Sequence, residues 1–303
     1  MFTRFLNQLL FMAFLVSVPL WAHATETTIP YKGMTLNGNL EMAEGKSLDD
    51  GIILITHGTL AHNKMEIIAT LQQLLTEHGF NTLAINLSLG LDNRHGTYDC
   101  AVPHTHRHMD AVHEISAWVT WLKKQGAHNI VLAGHSRGGN QTARYMIDAN
   151  VPKILGAALI APSLWTKKSA AKSYEDRYKV SLNSLLGKMN HAIVTKKGET
   201  IYKNLGFIYC PESTVTAASF VGYYGEDKFF DTPTVLDRVK LPVLVIAGSE
   251  DTVVKGLPER MADVVNQKIK LQVIDGADHF FLDFYIEDAA DHIADFAGEL
   301  LKE

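Results

Sequence analysis

Residues 129–145 read NIVLAGHSRGGNQTARY, an apolar run that passes through five small or polar residues and re-emerges as a helix-forming segment. Ile130, Val131 and Leu132 favour a strand, while Gln141, Ala143, Arg144 and Tyr145 are compatible with a helix. Between them Gly134 and Gly138 flank Ser136. Small residues on both sides of one serine predict a turn too tight for larger side chains, which holds the serine in a strained backbone conformation with its hydroxyl exposed. A plain strand–turn–helix corner would need no such serine, but five residues alone do not separate the two readings.

The rest of the chain supplies the context for that turn. GIILITHG (51–58), NTLAINL (81–87), the 129–133 run, ILGAALIAPS (154–163) and LPVLVIAGSED (241–251) are unbroken apolar stretches, expected as strands buried on both faces. KLQVIDGADH (270–279) is expected as a further strand. Helical spacing marks KMEIIATLQQLLTEHGF, DAVHEISAWVTWLKK, LPERMADVVNQ and the C-terminal FYIEDAADHIADFAGELLK. Near the start, short extended runs separated at Lys32-Gly33 and Asn37-Gly38 predict antiparallel strands. The sum is an α/β fold with one mostly parallel sheet and helices on both faces. From about 164 to 240 the alternation stops. There AAKSYEDRYKVSLNSLLGKM is expected as an amphipathic helix, part of a helical cap inserted above the sheet.

The first 24 residues stand apart. Arg4, an apolar run from about Leu9 to Trp21 and Ala22-His23-Ala24 have the layout of a secretory signal peptide cleaved after Ala24, leaving residues 25–303 as the mature domain, periplasmic or secreted. An uncleaved anchor is the alternative, but the run is shorter than the roughly 20 residues a span needs. Loss of Arg4 takes the formal charge from −5 to −6, which gives nucleic-acid binding no support.

A serine hydroxyl needs a histidine base, and the imidazole needs a carboxylate. Asp251 ends one buried strand and His279 closes the next, in the order serine, acid, histidine. The G-x-S-x-G of residues 134–138, the spacing from Gly248 to Asp251 and the spacing from Gly276 to His279 together resemble the α/β-hydrolase family, from about residue 27 to the end. The resemblance implies the α/β-hydrolase fold, a nucleophile elbow at Ser136 and a catalytic triad of Ser136, Asp251 and His279. Glu250 and Asp278 are the rival acids; Glu250 is one residue early, and Asp278 is too close in sequence to reach around its neighbour's ring. The resemblance also implies an oxyanion hole from the backbone amides of Arg137 and Thr59, with Leu60 as the fallback donor and side-chain identity of little weight. His57 and His135 read as packed rather than catalytic.

These residues imply a serine esterase acting on a small-molecule ester without cofactor. The same triad also serves peptidases, amidases and acyltransferases, and a non-catalytic binding protein of the same fold is the alternative from another class. Two features remain outside the triad. His95, His104, His106, His108 and His113 crowd one loop, read as a polar loop rather than a metal site. Between Leu164 and Asn204 the cap carries nine Lys or Arg against three acids, suited to an anionic substrate or surface, although a solvated helix face reads the same way. Finally, export would let Cys100 and Cys210 pair. The family fold puts both above the sheet, so a disulfide between loop and cap is expected, with two buried thiols as the alternative.

Overall fold

The computed structural model describes residues 24–148 and 154–302. The expected signal peptide, apart from Ala24, lies outside them. The chain opens with an antiparallel pair, β1 (Thr25–Tyr31) and β2 (Met34–Glu41), turning at Lys32-Gly33. Asn37-Gly38 is not a turn: it lies inside β2, where Gly38 pairs with Ile85. The buried Asn37 amide is used sideways, donating to the Arg94 carbonyl at 2.8 Å. Gly38 gives room to Leu83 and Trp118, since a Cβ there would sit 3.0 Å from Leu83 Cδ1.

The sheet continues with β3 (Ile52–Thr56), β4 (Thr82–Asn86), β5 (Ile130–His135), β6 (Ile154–Ile160), β9 (Val243–Gly248) and β10 (Ile269–Ile274). Its eight strands run in the order β1-β2-β4-β3-β5-β6-β9-β10, parallel from β4 onward. Alternate residues of each strand feed opposite cores. Ile53, Ile55, Val131 and Ala133 pack under α1 (Glu66–Glu77) and α9 (Tyr285–Leu301). Ile52, Leu54, Ile130 and Leu132 pack with α2 (Asp110–Lys124) and α3 (Arg137–Asp148). Burial on both faces explains why these strands read as unbroken apolar runs.

The cap differs from the expected single long helix. It holds α4 (Lys167–Tyr178), α5 (Leu182–Val194), a hairpin of β7 (Ile201–Phe207) and β8 (Cys210–Thr216), then α6 (Ala217–Tyr224) and α7 (Thr232–Leu236). The apolar spacing from Ala171 to Met189 spans both α4 and α5, but Lys179 at φ 57° ends α4 and turns the chain. The hairpin escapes strand patterning because β7 is interrupted by register shifts and carries Lys203 and Asn204 exposed. Its turn is held from outside: Tyr178 Oη and Arg177 Nη1 donate to the Ile208 carbonyl, and Tyr224 Oη accepts from the Ile208 amide. The helix expected over 257–267 stops early, as α8 (Leu257–Met261), because Asn266 donates its amide to the carbonyls of Leu236 and Val239 and pins the following loop.

Candidate active site

The turn between β5 and α3 is as tight as its glycines predict. Ser136 has φ 56°, a region a serine enters only when its surroundings force it. Its amide donates to the Ile160 carbonyl at 2.9 Å, and its carbonyl accepts from the amides of Gly139 and Ser163. A Cβ on Gly138 would lie 2.2 Å from the His57 carbonyl oxygen, and one on Gly134 would lie 2.7 Å from that of Gly138. Neither position has room for a side chain.

At the same end of the sheet, the loops after β9 and β10 meet the elbow. His279 Nε2 is 3.0 Å from Ser136 Oγ, and His279 Nδ1 is 2.8 Å from Asp251 Oδ2. Asp251 Oδ1 accepts from the amides of Val253 and Val254. Burial pushes the Asp251 carboxyl up, but the hydrogen bond with His279 and those two amides outweigh it and hold it below its ordinary value. The rival acid Asp278 accepts instead from the Phe280 amide. His135, buried under the elbow and pushed down to about 4 by that burial, bonds through Nε2 with the His279 carbonyl.

The loop after β3 carries Thr59 beside Ser136 and Arg137 in the wall of one cavity. Burial pushes His57 down to about 3. Its Nε2 accepts from the Leu87 amide, so its Nδ1 is the proton carrier toward the Gly58 carbonyl. Arg94, absent from the sequence reading, fixes this loop. Its guanidinium is buried and donates to the carbonyls of Ala61, Leu87 and Gly96 and to Asn86 Oδ1. A second feature that sequence reasoning passed over is a side-chain bond from Arg137 Nε to Thr59 Oγ1 at 3.0 Å. No local pattern announces either arginine, since both act across loops far apart in sequence.

The histidine-rich loop is not a polar surface loop. His104, His106 and His108 are buried, while His95 and His113 are exposed. His104 Nδ1 lies 3.2 Å from His106 Nε2, and His106 Nδ1 lies 2.7 Å from Tyr223 Oη on α6. Among the described residues no group of three or more His, Cys, Asp or Glu is arranged to hold a metal. The loop instead joins core to cap. Cys100 and Cys210 form a disulfide. His104 also pairs with β8, its amide donating to Thr214 and its carbonyl accepting from Thr216.

Above Ser136 lies a cavity of about 350 Å³ between the sheet and the cap. Trp165, Tyr174, Tyr209, Tyr223 and Phe230 supply much of its apolar wall.

A family model described as "Serine aminopeptidase, S33" matches residues 48–283, most of the chain and every residue of the elbow and its partners. The chain belongs to that family of α/β hydrolases. No curated protein matches the sequence. Solved structures of the same fold include Est1E from Butyrivibrio proteoclasticus, with 19% identity, 92% of this chain and 99% of that one covered, and a TM-score of 0.64. A Pyrococcus furiosus esterase has 17% identity, 92% of each chain covered and a TM-score of 0.61. Dienelactone hydrolase from Anabaena variabilis has 16% identity, 92% and 98% covered, and a TM-score of 0.56. The S33-type chain shares with them the parallel sheet and surrounding helices.

Proposed function

We propose that this S33-type α/β hydrolase is an exported serine hydrolase that cleaves carboxylic esters through an acyl-enzyme. The observation that carries the reading is the continuous line from Ser136 Oγ through His279 to Asp251, with Ser136 in a left-handed conformation. In the first step Ser136 Oγ attacks the acyl carbon while His279 Nε2 takes its proton. Asp251 holds the ring through Nδ1 and offsets the imidazolium charge. The oxyanion is received by the amides of Thr59 and Arg137. Collapse breaks the bond to the alcohol oxygen, which leaves with the proton from His279. Water then repeats the sequence on the acyl carbon, with His279 again as base, and frees Ser136.

The family description raises aminopeptidase activity as a second reading. An aminopeptidase must hold its substrate's terminal ammonium, which calls for a carboxylate in the cavity. Among the described residues, the cavity lining contains no Asp or Glu. That composition favours an ester over a free peptide N-terminus.

The test has two parts. A fluorophosphonate is expected to modify Ser136 alone, found by peptide mass analysis; labelling elsewhere would overturn the assignment. Turnover of 4-nitrophenyl butyrate with none of amino-acid 4-nitroanilides supports the ester reading, and the reverse selects the aminopeptidase. For export, protein from the native host is expected to begin at Thr25, the first residue of β1, and N-terminal sequencing that returns Met1 would contradict it.

A further inference from the structure

Among the described residues, three cations line the cavity over Ser136, namely Arg137, Arg177 and Lys255, and no acid lines it with them. Among the described residues none of the three has a carboxylate within ion-pair distance. Acids on neighbouring segments are engaged elsewhere: Asp176 with Lys172, Asp227 with Arg144, and Asp231 with Arg260.

Arg137 is held by neutral groups. Nε donates to Thr59 Oγ1, and the guanidinium lies over the Tyr223 ring at 5.2 Å. Nη1 faces His108 Nδ1 at 3.4 Å. The tautomer of His108 follows from its other side. The Asn140 amide nitrogen donates to the Phe229 carbonyl and Thr232 Oγ1, so its Oδ1 faces His108 Nε2 at 3.1 Å, and Nε2 carries the proton. His108 Nδ1 is therefore a lone-pair acceptor for Arg137. A hydroxyl, a neutral imidazole and an aromatic face orient the guanidinium without cancelling its charge. Arg177 is arranged similarly, donating to the Ile208 carbonyl and lying over the Tyr209 ring at 4.5 Å.

We propose that this cavity selects aromatic esters that carry a second, free carboxylate, with the ring between the cap's aromatic side chains and the carboxylate on the arginine and lysine groups. The proposal rests on the serine esterase reading and names its substrate class. A guanidinium fork matches a planar carboxylate; Arg137 is half-buried, and Arg177 and Lys255 are exposed. A neutral ester would leave the three charges without a counterpart.

The experiment compares matched esters that differ only in a remote carboxylate: phenyl acetate with 4-acetoxybenzoate on the alcohol side, and methyl phenylacetate with methyl (4-carboxyphenyl)acetate on the acyl side. Rates are corrected for each ester's uncatalysed hydrolysis. In at least one pair the carboxylated member is expected to show a kcat/KM at least about tenfold higher, a difference in line with one charge-assisted contact. That ratio should fall toward one in Arg177→Gln and Lys255→Gln, and in wild type at high salt. In parallel, calorimetry on Ser136→Ala is expected to show the same carboxylated ester binding about tenfold more tightly than its neutral match. Turnover of the neutral esters with no preference in rate or binding overturns the carboxylate site and leaves the esterase reading standing. Absence of all turnover and of fluorophosphonate labelling overturns the esterase reading; selective binding by Ser136→Ala would still support the carboxylate site, and its absence would overturn that too.

Discussion

Arg137 and Thr59, the two residues assigned to the oxyanion hole, are tied to each other by a 3.0 Å hydrogen bond between their side chains. One follows the nucleophile and the other lies on the loop after β3, 78 positions away. The bond fixes the distance between two loops whose amides, in the proposed mechanism, converge on one oxygen. Thr59→Val removes the acceptor and keeps the shape. It is expected to lower kcat by about tenfold with a smaller change in KM, in line with partial loss of an oxyanion donor. Thr59→Ser should restore most of the rate. Steady-state kinetics on the three proteins check this, and an unchanged kcat in Thr59→Val would remove the bond's role.

The line from Ser136 to Asp251 predicts unequal losses. Ser136→Ala and His279→Ala should each reduce kcat by roughly 10⁶, while Asp251→Asn should cost about 10⁴, because the ring keeps its place but loses the carboxylate. Circular dichroism should show all three folded. A mild effect of Asp251→Asn, with a large one for Glu250→Gln, would reassign the acid.

Gly138 is constrained by contact with backbone, not with a flexible side chain. Gly138→Ala is expected to disturb the junction with the β3 loop, lowering Tm by several degrees and abolishing fluorophosphonate labelling. A fully labelled, equally stable variant would contradict the close approach.

Acid should destabilise this protein steeply. Burial holds His57, His104, His106, His108 and His135 below 6.5 in the folded chain, His57 and His106 at about 3, His104 and His135 at about 4, and His108 well below its ordinary value. Above pH 6.5 these rings are neutral in both states. Below it the unfolded chain takes up their protons first, so stability is lost as pH falls from about 6.5 toward the folded values. Glu114 works in the opposite direction. Burial raises it to about 7, so stability falls as pH rises from about 4.5 to 7. Five histidines outweigh one glutamate, and a net uptake near four protons corresponds to roughly 5 kcal/mol per pH unit around pH 5.5. Calorimetric Tm between pH 8 and 5 should stay level and then drop steeply. Glu114→Gln should raise Tm at pH 8 more than at pH 5.

The Cys100–Cys210 disulfide spans 110 positions. Its loss in Cys100→Ser with Cys210→Ser should cost about 4–5 kcal/mol in the chain-entropy view. The His104 pairing with β8 should keep the cap attached, so esterase turnover is expected to persist at low temperature and fail earlier on heating. Equal Tm values for the two proteins would show that packing alone holds the cap.

The sequence by itself determined the sheet strands, because residues buried on both faces must be apolar without interruption, as in Ile52–Thr56 and Val243–Gly248. It also marked Ser136, Asp251 and His279, whose residue types are dictated by chemistry and whose order matches the α/β-hydrolase family it resembles. Tertiary structure decided the cap, where α4 and α5 share one apolar spacing but part at Lys179, and where a half-exposed hairpin carries no clear alternation. It decided the fate of the histidine loop as well. His106 and His108 are polar in sequence, yet Tyr223, Asn140 and Arg137 meet their hydrogen-bonding needs inside the protein, while His104 shares Nδ1 with His106 and is anchored to β8 through its backbone. Only the folded chain brings Arg94 to the Ala61 carbonyl and Arg137 to Thr59. A long polar side chain finds its partner by position in space, and local spacing holds no trace of it.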